Sequence, residues 1–320
     1  MTYEERIQKN KNCLKGKEKL SKECEWSYES KEYGVALMSM NLPYLDIQNI
    51  WCDEYVDILI ENDIKNLSFS YIKNVDNNLE IFSKLYFLKD LTLLGLSYGE
   101  KDYSFNGLKY LINLEMLDCR GSQSSTPIDF SYLKKLKVCS LAHTLHKKNK
   151  TLFECITLEK LSVYGYLDKD FSFSLLINLK ILTLQTTSLL ELKGIDKLQK
   201  LQSFKLEKSK KIKDFEEISK VKSLKRLTLK YCRVDNLIES ISQLKKLEFL
   251  FLENVGKIES ISALKNCQNL KEIFIGSGTT NIVDGDLSVL FKLPKLKKVS
   301  IATQKHYSHT NEELHKHTGQ

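Results

Sequence analysis

The stretch LKRLTL at Leu224–Leu229 is followed one interval later by LEFLFL at Leu247–Leu252, and both carry aliphatic residues at positions 1, 4 and 6 of a common frame. The same spacing occurs eleven times along the chain, with frames that open at intervals of 21 to 26 residues. A period of this length is typical of repeat proteins, in which each unit stacks on its neighbours. The frames open at Ile64, Leu88, Leu114, Leu136, Leu158, Leu179, Leu201, Leu224, Leu247, Leu270 and Leu296.

The spacing within and between frames predicts two kinds of element. Because the side chains of a strand alternate between its faces, frame positions 1, 4 and 6 are predicted to point inward and positions 3, 5 and 7 outward. A second apolar cluster at three-residue spacing, such as Ile218 and Val221, is typical of a helical or 3₁₀ turn. The sequence therefore predicts an α/β solenoid, a horseshoe with a parallel β-sheet on its concave side and 3₁₀ or short helical turns on its convex side.

These frames resemble the 22-residue class of leucine-rich repeats, LxxLxLxxNxIxxIxxLxxLxN, which phosphatase regulatory subunits and bacterial internalins share. The stretch 223–244 follows this pattern well, and the resemblance covers about residues 64–303. It implies the fold but no particular partner, because the motif residues are core residues. The chain departs from the class in rarely having Asn at frame position 9, so the loops must form their hydrogen bonds differently. We expect irregular loops in the longer intervals that start at Leu88 and Leu270.

The ends of such an array need caps, since an open repeat exposes its apolar faces. Residues 34–63 are predicted to form the N-terminal cap, with a degenerate frame at Val35, Met38 and Met40 and a cover that includes Trp51. The range 1–33 is a polar segment that we expect to be helical. The frames predict eleven repeats over 64–303.

The C-terminal range 304–320 is predicted to form a tail or a short cap helix, because Thr310 and Glu313 have the spacing of a capping box. This segment is also rich in histidine, and a site for a divalent metal is the alternative interpretation. We favour the cap, and we predict no metal and no cofactor. The histidines concerned are His306, His309, His315 and His317.

The eight cysteines are better explained by the repeat than by disulfides or zinc. Cys119 and Cys139 occupy frame positions of Leu, and Cys232 stands at frame position 9, so all three are predicted to be buried apolar residues. The remaining cysteines lack a CxxC or a matching His spacing. Nucleotide-binding glycine motifs and the GxSxG motif are absent from the sequence, so we predict a protein that is not an enzyme.

The charged N-terminus and the absence of a long apolar stretch predict a cytoplasmic protein without a membrane segment. The net charge of +8 is concentrated in the range 197–233, which contains 13 Lys/Arg and four Asp/Glu. The basic run Lys208, Lys210, Lys211 and Lys213 has only part of the pattern of a nucleic-acid site, since aromatic residues do not alternate with it. It favours electrostatic attraction of an acidic protein partner instead.

The outward columns of the predicted sheet change character in repeats seven to ten. Frame position 5 carries mostly hydroxyl residues at first, and then Phe251 and Phe274. Exposed aromatic residues beside charges are typical of an interface hot spot. Three alternatives remain: a C-terminal loop could cover the rings, strand propensity alone could select them, or a one-residue frame shift could bury them. The predicted partner-binding residues are Lys205, Arg226, Lys230, Tyr231, Phe249, Phe251, Glu253, Glu272 and Phe274.

We therefore predict recognition of another protein, one with an acidic surface and an exposed apolar patch. The Lys, Ile, Asn and Tyr content suggests the AT-rich genome of a bacterium. A cytoplasmic repeat protein from such a source resembles immunity proteins, which neutralise a toxin by covering it. The alternatives are a scaffold or regulatory subunit of a signalling enzyme, which the phosphatase-type resemblance implies, and a host-directed effector that acts through its N-terminal range 1–60.

Overall fold

The computed structural model of the chain describes most of its length. The predicted polar segment 1–33 and the degenerate frame at Val35, Met38 and Met40 lie outside the described residues. Lys213 of the basic run lies outside them as well. The described ranges are 44–48, 51–72, 74–96, 103–122, 124–142, 150–165, 171–212, 215–233, 235–276 and 278–319.

Parallel strands form one open sheet of twelve members in the described part of the chain, and the strands follow chain order. The eleven predicted frames supply eleven strands, and the twelfth lies in the predicted cap region. The strands of this sheet are β1 (Tyr44–Gln48), β2 (Asn66–Ser70), β3 (Asp90–Leu94), β4 (Met116–Gly121), β5 (Val138–Ala142), β6 (Lys160–Tyr164), β7 (Ile181–Gln185), β8 (Ser203–Glu207), β9 (Arg226–Lys230), β10 (Phe249–Glu253), β12 (Glu272–Ile275) and β14 (Lys298–Ile301).

A small second sheet was not expected from the sequence. Strands β11 (Lys257–Ile258) and β13 (Asn281–Ile282) pair in parallel, and each lies in the interval that follows a long strand. The pairing orders part of the long interval after Leu270, where the sequence predicted irregular structure. Ile258 and Ile282 face each other in this pair and are buried, so the extra pair extends the core.

The convex side consists of short 3₁₀ and α-helical turns, as predicted. Each turn buries the apolar cluster that precedes its frame; Ile218, Val221 and Leu224 are all fully buried. The 3₁₀ turns span Glu80–Leu85, Phe105–Tyr110, Phe130–Tyr132, Lys150–Glu154, Ile195–Lys197, Ser262–Asn266 and Ser288–Lys292. The α-helices are α1 (Glu54–Glu61), α2 (Glu216–Ser219), α3 (Leu237–Ser242) and α4 (Asn311–Thr318).

A single continuous core lies between the sheet and the convex turns. The inward residues of β9, Leu227 and Leu229, are fully buried, and the inward residues of the other ten frames are buried too. This burial confirms the frame assignment, because a shift by one residue would bring the polar neighbours into the core. Burial of this apolar area is the main favourable contribution to folding.

Hydroxyl groups take over part of the hydrogen bonding that an Asn ladder would provide. The Ser122 hydroxyl accepts from the backbone N–H of Leu96 (3.0 Å), and the Ser209 hydroxyl accepts from the N–H of Thr187 (3.2 Å). All four residues stand at frame position 9, and both serines are almost completely buried. The loops are therefore bonded from repeat to repeat, which is the different arrangement that the sequence required.

The Asn at the last position of the repeat pattern does form amide bridges. The side chain of Asn178 donates to the carbonyl of Ile156 (2.8 Å) and accepts from Lys200 (2.6 Å). Asn113 and Asn269 make the same bridges to the repeats on either side of them. Each amide thus links three consecutive repeats.

A helix lies near each end of the described array. At the first end, α1 buries Tyr55 and Leu59, and the Trp51 ring packs 5.6 Å from the ring of Phe69 in β2. At the other end, α4 begins with the capping box of Thr310 and Glu313 and buries Leu314 against the last repeat.

Helix α4 also provides hydrogen-bond partners for backbone groups of β14, the edge strand of the sheet. The Asn311 side chain accepts from the N–H of Ile301 (2.9 Å) and donates to its carbonyl (2.6 Å). The imidazole Nε2 of His315 lies 2.9 Å from the carbonyl oxygen of Val299. Because an unpaired strand edge invites association with other strands, these bonds protect β14.

The cysteines agree with the repeat-based interpretation where the structure describes them. Five cysteines are buried and form no disulfide: Cys119, Cys139, Cys155, Cys232 and Cys267. Burial raises the pKa of the Cys232 and Cys267 thiols to about 11, so these groups remain protonated. Cys13 and Cys24 lie outside the described residues.

Candidate protein-binding site on the concave face

Three adjacent strands set the geometry of the candidate site. The register of β9, β10 and β12 places Arg226, Phe249 and Glu272 in one row across the sheet. The next outward row contains Thr228, Phe251 and Phe274. Side chains in such rows are neighbours, because parallel strands lie about 4.8 Å apart.

The three phenylalanine rings form one cluster on the concave surface. The ring centroids of Phe249 and Phe274 are 5.7 Å apart, and the rings of Phe251 and Phe274 stack at 5.9 Å. All three rings are half-buried, whereas their strand neighbours Leu250 and Ile273 are completely buried. The rings are therefore part of the surface and not of the core.

Two cations lie over these rings. The guanidinium carbon of Arg226 is 4.0 Å from the Phe249 centroid, and the Lys230 Nζ is 4.5 Å from the Phe251 centroid. A cation at this distance is attracted by the negative face of the aromatic ring. Arg226, Lys230, Phe249, Phe251 and Phe274 are called the aromatic patch from here on.

Carboxylates balance much of the positive charge around the patch. Lys230 pairs with Glu253 (3.2 Å), and on the neighbouring strand β8 Lys205 pairs with Glu207 (3.0 Å). These four side chains are largely buried, so their positions are well fixed. Glu272 lies beside Phe249 in the same row. The concave surface here is a polar frame around an apolar centre.

Most of the sequence-predicted site residues come together, and two lie further out. Lys205 is one strand beyond Arg226 and Lys230, where it pairs with Glu207. Tyr231 follows the end of β9 in the left-handed conformation (φ 53°), and it is exposed at the rim. Its position after the strand explains why it does not continue the outward column.

The two structural alternatives for the rings do not hold among the described residues. A shifted frame is excluded, because the inward positions contain the aliphatic residues. The C-terminal helix does not cover the patch, since α4 packs against β14 and the 3₁₀ turn Ser288–Lys292. All three rings stand on strands, where the propensity of phenylalanine is also high.

A second concave cluster was not assigned a role in the sequence analysis. The carboxylate of Asp118 accepts from Nε of Arg120 (3.0 Å) and from its Nη2 (2.6 Å), and the guanidinium lies 5.8 Å from the Tyr164 ring. Burial, together with the charge of Arg120, lowers the pKa of the nearby Lys160. The available signal was Asp118, the acidic residue in a column otherwise rich in hydroxyls.

The histidines of the C-terminal segment have structural partners. His306 and His315 lie at hydrogen-bond distance from backbone carbonyls, and the rings of His309 and His317 both contact the ring of Phe291, at 4.7 and 4.8 Å. Among the described residues, His, Cys, Asp and Glu nowhere form a group of three able to hold a metal ion. Every helix within these ranges is also too short or too polar to span a bilayer.

Comparison with known proteins identifies the fold. No protein-family model and no curated protein matches the chain. Among solved structures, the internalin InlF of Listeria monocytogenes is similar with a TM-score of 0.61 and 20% identity, over 77% of this chain and 70% of that one. The fold is thus a leucine-rich-repeat solenoid, as the frames predicted.

Two further structures share the fold over part of their length. A TDR receptor matches 79% of this chain and 45% of its own, with 21% identity and a TM-score of 0.55. A structure of TLR13 in complex with ssRNA13 matches 80% of this chain and 46% of its own, with 19% identity and a TM-score of 0.54. The match therefore covers less than half the length of either of these two proteins.

Proposed function

We propose that this chain recognises another protein without catalysing a reaction, and that the aromatic patch is its binding site. The observation that supports the proposal is the cluster of three half-buried phenylalanine rings on the concave surface, with Arg226 and Lys230 over two of them. Aromatic residues and arginine contribute most to the hot spots of protein interfaces. Rings that are already fixed lose little entropy when a partner binds.

The charges around the patch favour a protein over a nucleic acid. Lys205 and Lys230 are paired with Glu207 and Glu253, so the centre of the site has little net positive charge. A nucleic-acid groove needs cations that are free to contact phosphates. The ssRNA13 in the similar structure is bound by TLR13, and this describes a ligand of TLR13 alone. A binding constant that falls steeply with salt, with a slope typical of many phosphate contacts, would favour RNA instead.

The more specific proposal is an immunity or inhibitor protein of a bacterium that acts in the cytoplasm and neutralises a toxin by covering it. The exposed Lys208, Lys210 and Lys211 would increase the association rate with an acidic toxin surface. The test is to search for a toxin reading frame beside the gene and to compare the growth of cells that express such a toxin with and without this chain. Restored growth is expected, and growth that stays arrested would reject inhibition of that toxin.

Binding itself is tested by calorimetry with the purified partner. Phe251→Ala should weaken binding by about 10- to 100-fold, and Phe274→Glu should weaken it further, because each removes apolar contact at the centre of the patch. The matched control is Leu190→Ala, which truncates an exposed apolar residue that lies outside the patch, between β7 and β8. Unchanged affinity in both phenylalanine variants would place the site elsewhere. A partner enzyme whose rate changes but is not abolished would indicate a regulatory subunit.

A further inference from the structure

A row of exposed apolar side chains runs along the solenoid where each convex turn leads into its strand. It occupies the residues four and two places before the first residue of each frame. In repeats two to six, seven of these ten residues are aliphatic or aromatic. The ten are Lys84, Tyr86, Tyr110, Ile112, Tyr132, Lys134, Glu154, Ile156, Leu175 and Ile177.

The second half of the same molecule shows that the fold does not require apolar residues there. In repeats seven to eleven the equivalent ten residues include five lysines, and proline is the only one without a polar side chain. Those residues are Lys197, Gln199, Lys220, Lys222, Gln243, Lys245, Asn266, Gln268, Lys292 and Pro294.

The apolar residues of the first half are well exposed. Six of them have between 49% and 56% of their surface accessible. Together they present roughly 600 Å², since a half-exposed side chain of this size offers on the order of 100 Å². We call these six residues the apolar row: Tyr86, Ile112, Tyr132, Ile156, Leu175 and Ile177.

The middle of the apolar row has a polar feature of its own. A shallow depression of about 290 Å³ lies between repeats four and five, with Lys134 and Glu154 among its lining residues beside Ile156. Both charged side chains are exposed, and neither forms an ion pair within the part of the chain that the structure describes. A cation and an anion thus lie on neighbouring repeats, at the centre of the row.

We propose that a second copy of this chain covers the apolar row in a two-fold symmetric dimer, with the axis between repeats four and five. In such a contact each residue meets its counterpart on the other side of the axis. Lys134 of one copy then faces Glu154 of the other, and the reverse pair forms at the same time. Ile112 in repeat three faces Leu175 and Ile177 in repeat six.

The area and the charge of the surface both fit this occupant. Under this axis the five apolar residues of repeats three to six meet one another, so two copies would bury about 1,000 Å² from these side chains, which is the lower limit for a specific interface. The ten equivalent positions of repeats two to six carry two lysines and one glutamate, so two such faces repel each other weakly. The lysines at these positions in repeats seven to eleven would repel a second copy, which limits the contact to the first half.

The experiment is sedimentation equilibrium of the full chain over a micromolar concentration series. The wild-type chain is expected to dimerise. Lys134→Glu and Glu154→Lys should each raise the dimer dissociation constant by about tenfold or more, because each creates two pairs of like charges across the axis. The double variant Lys134→Glu/Glu154→Lys should return the constant to within about threefold of wild type. Both residues are exposed, so folding should not be affected.

The matched control is Lys222→Glu, which reverses a charge at the equivalent place in repeat eight and should leave the dimer unchanged. A wild-type chain that stays monomeric throughout the series overturns the proposal. So does a dimer that survives both single reversals and Ile156→Asp. The chain could instead stay monomeric and bind anionic lipid vesicles, with the binding abolished by Ile156→Asp. That result would show that the row contacts a membrane surface, and it would overturn the dimer.

Discussion

At the residue scale, single hydroxyl groups determine whether buried loop amides are satisfied. Ser209 is completely buried; its hydroxyl accepts from the N–H of Thr187 and donates to the carbonyl of Glu207 (3.1 Å). An asparagine amide accepts hydrogen bonds through its oxygen and donates them through its NH₂ group. A serine hydroxyl also accepts and donates, but through a single atom, so it replaces part of this bonding. This explains how serine is compatible with frame position 9.

Ser209→Ala should lower the free energy of unfolding by about 1–3 kcal/mol, because the buried N–H of Thr187 loses its acceptor. Urea denaturation followed by circular dichroism measures the change. Ser300→Ala is the matched control, since Ser300 is exposed on the concave face, and we expect a change below about 0.5 kcal/mol. Equal stability of both variants would contradict the role of the Ser209 hydroxyl.

Asp90, at the start of β3, is a carboxylate in an unfavourable place. Burial, reinforced by the charge of Glu115, raises its pKa above the ordinary value of 3.8. The folded state then binds a proton more tightly than the unfolded state, so this group lowers stability as the pH rises through and above 3.8. Asp90→Asn should therefore raise the melting temperature at pH 7, by an amount worth less than about 1 kcal/mol given its partial exposure. At pH 3 the two proteins should differ little.

At the element scale, helix α4 combines a local signal with a long-range one. The spacing of Thr310 and Glu313 predicted the capping box, which forms within the helix itself. The pairing of Asn311 with Ile301 was not predictable, since it depends on where the helix docks. The same limit applied to β11 and β13, whose two-residue strands have no periodicity of their own.

Asn311→Ala should open the edge of the sheet. The N–H and the carbonyl of Ile301 lose their side-chain partner, so hydrogen exchange at Ile301 and its neighbours in β14 should accelerate by about tenfold or more. Glu312→Ala, in the same helical turn but exposed, should leave this exchange unchanged. Unaltered protection of β14 in the Asn311 variant would show that the helix protects the edge by packing alone.

At the scale of the whole molecule, the periodic spacing predicted the architecture because every repeat solves the same packing problem. Leu227 and its equivalents are buried wherever the frame places them, and this also placed the phenylalanine rings on the concave surface. For those rings, the sequence predicted which side chains lie beside them on the adjacent strands, but not how these side chains contact the rings. The seating of Arg226 and Lys230 on the ring faces depends on side-chain rotation, which spacing does not determine.

Core truncation should have different effects in the middle and at the end of the array. Leu227→Ala should lower the free energy of unfolding of the whole chain by about 2–5 kcal/mol, because repeats on both sides lose a packed neighbour. Leu314→Ala, in α4, should loosen chiefly the last repeats and broaden the start of the thermal transition. Calorimetry distinguishes the two shapes. A single sharp transition in the Leu314 variant would mean that the end is fully coupled to the centre.

The buried cysteines are natural probes of local unfolding. Cys119 and Cys139 lie in neighbouring repeats near the first end, whereas Cys232 and Cys267 lie toward the other. A thiol reagent can modify each buried sulfur only after the repeat that contains it has transiently unfolded. The labelling rate of each cysteine, resolved by mass spectrometry, would therefore reveal which end of the molecule unfolds locally first. The protein carries these reporters without any engineering.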